Sequence, residues 1–129
     1  MKLLIVDDNA AVRRLIRSIV LPFASEIYEC MGGADAFSTY QAHRPDVVLM
    51  DIRMNEVDGI QATKQIKAAD PQATIVIVTD YDDDALRHAA MLAGAYGYVP
   101  KDNLLELVRL LEGIKRSTAG QPESEPSED

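Results

Sequence analysis

The chain has 129 residues, with 13 basic and 21 acidic side chains and a formal net charge of −8. That length suits one domain, and 47% apolar with 26% charged residues is ordinary for a chain that folds around a core. The charge argues against direct nucleic-acid or anionic-membrane binding, because both depend on Lys and Arg neutralising phosphates.

From the N-terminus, Leu3-Leu4-Ile5-Val6 is a short apolar run, as expected of a strand buried on both faces. It breaks into acid at Asp7, too soon for a signal peptide, and no apolar run approaches the roughly 18 residues that span a bilayer. A cytoplasmic protein is expected. Val12, Leu15, Ile16, Ile19 and Val20 then recur at helical spacing, with Arg13, Arg14 and Arg17 between them and Pro22 beyond the end. Residues 26–30 form the second predicted strand, ending at Cys30, a lone cysteine that excludes an internal disulfide. Gly32-Gly33 separates it from a weakly patterned helix over 35–42. Val47 to Met50 is the third strand, and a helix over 59–69 closes at Pro71. Residues 74–78 are a β-branched fourth strand, 82–93 a helix ending at Gly94, and 96–99 a fifth strand. A last helix over 102–116 carries Leu104, Leu105, Leu107, Val108, Leu111 and Ile114 at helical spacing.

Five strands alternating with five helices imply a parallel sheet with helices on both faces. At this size the expected fold is a flavodoxin-like (βα)5 three-layer sandwich with strand order 2-1-3-4-5. The predicted domain covers 1–118. Residues 119–129, with four acids and almost nothing apolar, are expected to be a disordered acidic tail or linker.

In such sheets ligands sit outside the carboxyl ends of the strands, where the strand order switches. The residues just past each apolar run therefore matter. They are Asp7 and Asp8 after strand one, Asp51 after strand three, Thr79 and Asp80 after strand four, and Lys101 after strand five. Three carboxylates from adjacent strand ends repel unless a cation joins them, and oxygen-only ligands with several waters suit Mg²⁺. With an ammonium and a hydroxyl nearby, the crevice has the parts to accept a phosphoryl group on a carboxylate. Taken singly, each residue has a plainer role; Asp8, for example, suits a helix N-cap.

Other signals fail. Asp80-Tyr81-Asp82-Asp83-Asp84 lacks the Gly and the closing Glu of a Ca²⁺ loop, and Asp82, Asp83 and Asp84 suit the start of a helix. His43 and His88 have no partner at ligand spacing, and no phosphate-binding Gly-rich motif is present.

The chain resembles the receiver domains of bacterial two-component response regulators over about residues 2–117. The resemblance rests on Leu4-Ile5-Val6-Asp7-Asp8, Val48-Leu49-Met50-Asp51-Ile52-Arg53-Met54, Asp58-Gly59, Val78-Thr79 and the run from Ala93 to Asp102. It implies that Asp51 accepts phosphate from a sensor histidine kinase or phosphotransfer protein. Asp7, Asp8, Asp51 and the backbone carbonyl of Arg53 would hold Mg²⁺, and Lys101 would pair with the phosphoryl group. Thr79 would turn toward that group and Tyr98 would swing inward, remodelling the face of helix four, strand five and helix five for an output domain or partner protein. Such a chain is a phosphoacceptor switch that catalyses its own phosphorylation and dephosphorylation, not a turnover enzyme. The form of residues 97–102 is nearest the subgroup with helix-turn-helix output domains. The alternatives are a pseudo-receiver, binding partners without phosphoryl chemistry, and a Mg²⁺-dependent phosphatase. Helix five can also pair with a second copy on phosphorylation.

The chain departs from the receiver pattern at Asp80, where a small residue is usual, and at Asn55, where proline is common. Asp80 is expected to slow phosphorylation or restrict access, or else to point into solvent as part of the acidic start of helix four. Arg53 and Tyr81 are expected to flank the path of the hydrolytic water and lengthen the phosphorylated state.

Overall fold

The computed structural model describes residues 1–53 and 58–120. Among these, five strands alternate with five α-helices: β1 (Lys2–Val6), α1 (Ala10–Val20), β2 (Glu26–Cys30), α2 (Gly33–His43), β3 (Val47–Met50), α3 (Gly59–Ala69), β4 (Ile75–Thr79), α4 (Asp84–Leu92), β5 (Gly97–Pro100) and α5 (Leu104–Gly120). A 3-10 turn at Leu21–Phe23 follows α1, with Pro22 near its start. The strands form one parallel sheet in the order β2-β1-β3-β4-β5, as expected. The helix α5 continues two residues past the expected boundary at 118. Met54, Asn55 and residues 121–129 of the expected tail lie outside the described residues.

Side-chain alternation along the strands builds two cores. Leu3, Ile5, Val47, Leu49, Val76, Val78 and Val99 pack with Ile16 and Val20 of α1 and Leu107 and Leu111 of α5. Leu4, Val6, Val48, Met50, Ile75 and Ile77 face the other way, onto α2, α3 and α4. This two-sided burial explains why β1, β3 and β4 read as unbroken apolar runs. No helix among the described residues is long and apolar enough to cross a membrane.

Local chemistry sets the helix starts. Asn9 caps α1, its Oδ1 accepting from Ala11 N at 2.9 Å and Val12 N at 3.1 Å. Asp8 is therefore relieved of the capping role that its position also suited. Asp58 caps α3 and Asp83 caps α4, while Asp84 occupies the first turn of α4. Asp82 pairs with Arg87 at 3.4 Å. His43 is half-buried and stacks on Tyr28 with ring centroids 3.9 Å apart, so it serves packing.

Candidate functional site

Register brings the acids together. Val6 of β1 lies beside Met50 of β3, so the next residues, Asp7 and Asp51, leave neighbouring strands at the same level. Asp51 N donates to Val6 O at 2.9 Å and closes this end of the ladder. Both carboxylates are buried, Asp7 at 1% exposure and Asp51 at 6%, while Asp8 is exposed. Oxygens of Asp7, Asp8 and Asp51 lie within 4.8 Å of one another. Thr79 pairs with Pro100, and Lys101 N donates to Thr79 O at 2.7 Å, which carries Lys101 to the same rim.

The Lys101 ammonium stands 2.8 Å from Asp7 Oδ2, 3.4 Å from Asp51 Oδ1 and 3.9 Å from Asp80 Oδ2. Burial works against its charge, but the Asp7, Asp51 and Asp80 carboxylates outweigh burial and raise its pKa above the ordinary lysine value. Burial also pushes the Asp51 pKa up to about 6, reinforced by the Asp7 charge and opposed by Lys101. At neutral pH Asp51 is still mostly ionised and nucleophilic.

Asp7 Oδ2 is fully buried, and its one polar contact among the described residues is the Lys101 ammonium at 2.8 Å. A buried anionic oxygen with one such contact has spare capacity for a cation. Its partners in the cluster are all hard oxygens, which fits a hard divalent ion.

Thr79 is fully buried, and its Oγ1 accepts from Tyr81 N at 3.3 Å, so its own proton remains available to donate. Asp80 points outward, 73% exposed, and meets only the far side of Lys101. The Arg53 guanidinium sits over the Tyr81 ring, 4.6 Å from its centroid. The two residues expected to flank the crevice therefore touch each other.

Tyr98 is already inward. It is 6% exposed, and its hydroxyl donates to the Tyr81 carbonyl, while Arg87 covers its ring at 4.6 Å. Burial, a hydrogen bond and a cation–π contact hold Tyr98 in this seat.

Sequence reasoning did not reach three contributors. Gly59 abuts the Asp51 backbone: a Cβ there would meet Asp51 O at 1.9 Å. No other residue fits without moving Asp51, and the Asp58-Gly59 pair was the only sequence sign of it. Arg13 Nη1 donates to the Asp7 carbonyl at 2.6 Å. Arg87 covers Tyr98.

Fold and crevice together define a doubly wound α/β domain with an acidic, oxygen-lined pocket at its switch point. The model for the response regulator receiver domain matches residues 3–112, and the chain belongs to that family. It is 38% identical over 117 residues to the chemotaxis protein CheY of Bacillus subtilis, covering 90% of this chain and 96% of that protein. Among solved structures, a LuxR-family two-component response regulator from Aurantimonas sp. is similar, with TM-score 0.81, 33% identity and coverage of 88% and 83% of the two chains. A CheX–CheY–BeF3–Mg²⁺ complex from Borrelia burgdorferi is similar with TM-score 0.78 and 25% identity, covering 88% of this chain and 89% of that one.

Proposed function

We propose that this chain is a phosphoacceptor switch in a phosphorelay, taking a phosphoryl group onto Asp51 from a phosphohistidine on a sensor kinase or phosphotransfer protein. The observation that carries the reading is one ammonium, Lys101, shared by two buried carboxylates where a third converges. In the transfer the P–N bond of the donor breaks and a P–O bond to an Asp51 carboxylate oxygen forms. The imidazole leaves with the bond's electron pair and takes a proton from solvent. No general base is required, because Asp51 is already ionised at neutral pH.

Asp7, Asp8, Asp51 and the Arg53 carbonyl would hold Mg²⁺, whose charge, when bound, offsets that of the phosphoryl oxygens and the acid cluster. Lys101 orients the acceptor and neutralises the transferred group from the other side. Thr79 donates its free hydroxyl proton to a phosphoryl oxygen. Turning Thr79 toward that oxygen would draw its Oγ1 away from Tyr81 N, and Tyr81 also holds the Tyr98 hydroxyl, so site and α4–β5 face share one residue. The output partner, whether a domain or a separate protein, would read that face, and a phosphorylation-dependent homodimer through α5 belongs to the same reading.

Asp80 is the observation that favours a pseudo-receiver, since its carboxylate competes for Lys101. It is mostly in water and the most distant of the three partners, so it screens the ammonium without replacing the phosphoryl group. It should slow uptake, not prevent it.

Thermal melts test the cation half of this reading. Mg²⁺ at 100 times its Kd should stabilise by about 2.7 kcal/mol. Asp8→Ala should remove most of that gain while leaving the melt in chelator near that of wild type, because Asp8 is exposed. No stabilisation by Mg²⁺ in wild type would contradict it.

The Arg53–Tyr81 stack predicts slow self-dephosphorylation, because it narrows the approach of water to Asp51. Arg53→Asn with Tyr81→Glu should shorten the phosphorylated lifetime several-fold, measured by loss of label after donor removal. Because the side chains touch, each single variant should recover most of the double variant's effect. An unchanged or longer lifetime in the double variant would count against the stack as a water barrier.

A further inference from the structure

We propose that Arg13, on α1, is a positioning residue for the cation site: its guanidinium clamps the Asp7 carbonyl and thereby fixes where Asp8 presents its carboxylate. The inference rests on the reading of Asp7, Asp8 and Asp51 as that site.

The clamp is anchored at both ends. Arg13 Nη1 donates to Asp7 O at 2.6 Å, and Arg13 Nε pairs with Glu29 Oε1 at 3.0 Å. Glu29 is held from its other oxygen by Arg17 Nη1, also at 3.0 Å. The Arg13 side chain is only 13% exposed, far less than Arg17 at 47%. A guanidinium is a rigid planar fork, so fixing Nε on Glu29 also fixes the direction of Nη1. Glu29 is a stable base, since it pairs with Ile5 across β2 and β1.

What is clamped is the first β1 carbonyl past the sheet's ladder. Asp7 N still bonds Cys30 O at 3.2 Å, and Val6 O still accepts from Asp51 N. The Asp7 carbonyl has no strand to pair with and receives Arg13. The peptide unit is planar, so holding the Asp7 oxygen sets the orientation of the Asp8 N–Cα bond. The far side of Asp8 is also fixed: Asn9 N donates to Asp7 Oδ1 at 2.9 Å, and Asn9 caps α1. The Asp8 side chain itself makes no hydrogen bond or ion pair among the described residues, so the backbone alone aims it. Groups that orient metal ligands in this way often matter ten- to a hundredfold in metal affinity.

Charge and position predict opposite signs, which makes the idea testable. Removing a cation beside an acidic cluster should strengthen Mg²⁺ binding, whereas removing the clamp should weaken it. Calorimetric Mg²⁺ titration of the full chain reads the difference. We expect Arg13→Met to weaken Mg²⁺ binding about tenfold. Arg17→Gln, which loses the same charge and the contact to the other Glu29 oxygen but leaves Arg13 on Asp7, should lose far less affinity than Arg13→Met. Where Arg13→Met does not fold, Arg13→Lys carries the test. It keeps the charge but lacks the fork, and it should still bind Mg²⁺ several-fold more weakly. Affinity equal to or tighter than wild type in the folded variant overturns the inference, as does an equal loss in Arg17→Gln. A wild type that takes no Mg²⁺ overturns the cation reading and this inference with it, and that result is read from the wild type alone.

Discussion

Lys101→Met is expected to lose about 3 kcal/mol of stability at pH 8 in chelator, and to regain much of it as pH falls toward 5. Its ammonium is the shared counter-charge of Asp7 and Asp51, both nearly inaccessible to water. Removing one partner of a buried ion pair typically costs about 3–5 kcal/mol, because the other charge is left without compensation. The pH dependence follows from Asp51. Its pKa is about 6 with Lys101 in place, and Lys101 is among the groups that hold it down. Without the lysine that pKa rises further, so Asp51 loses its charge before pH 5 is reached. Urea unfolding at the two pH values measures this. An equal loss at both would mean that Lys101 acts through packing, not charge.

Asp51→Asn should move stability the other way. The folded-state pKa of Asp51 is raised above its ordinary value of 3.8, first by burial and then by the Asp7 charge. Folding therefore favours the protonated form. The stability linked to this group is complete below about pH 4 and is lost as pH rises through about 6. At pH 8 the ionised side chain is a net cost of about 3 kcal/mol, which the neutral amide removes. In chelator Asp51→Asn should thus be more stable than wild type at pH 8 and nearly equal to it at pH 4. Mg²⁺ should narrow the gap at pH 8 by stabilising wild type more. A variant less stable than wild type at pH 8 would show that Asp51 contributes to the fold through its ion pair with Lys101. The cost is the kind a functional site carries.

Much of the crevice was legible because it depends on strand order. Apolar runs ending in Asp7, Asp51, Thr79 and Lys101 mark four strand ends, and one topology brings all four to the same rim. The register of Val6 beside Met50 then fixes which acids meet. What was not legible depends on approach between elements. Arg13 reads as polar spacing between apolar helix positions, and nothing local shows that it reaches back over the strand end to the Asp7 carbonyl. Gly59 starts α3 like any small residue, yet it is the contact that lets α3 close on Asp51. Tyr98 alternates as a plain strand residue, and its seat depends on Arg87 from α4 and a carbonyl from the β4–α4 loop. Asn9, not Asp8, caps α1, a one-residue choice made by the turn geometry that follows β1. Helix ends differ from expectation by one or two residues, and by four at the C-terminal end of α5, since caps and packing decide the last turn.

The central claim is that Asp51 accepts a phosphoryl group in a Mg²⁺-dependent reaction. Incubation with acetyl phosphate, read by intact mass, tests it most directly. The account predicts uptake of a single phosphoryl group that requires Mg²⁺ and disappears in Asp51→Asn. Absence of uptake from acetyl phosphate and from a phosphohistidine donor alike, or uptake that persists in Asp51→Asn, would contradict it.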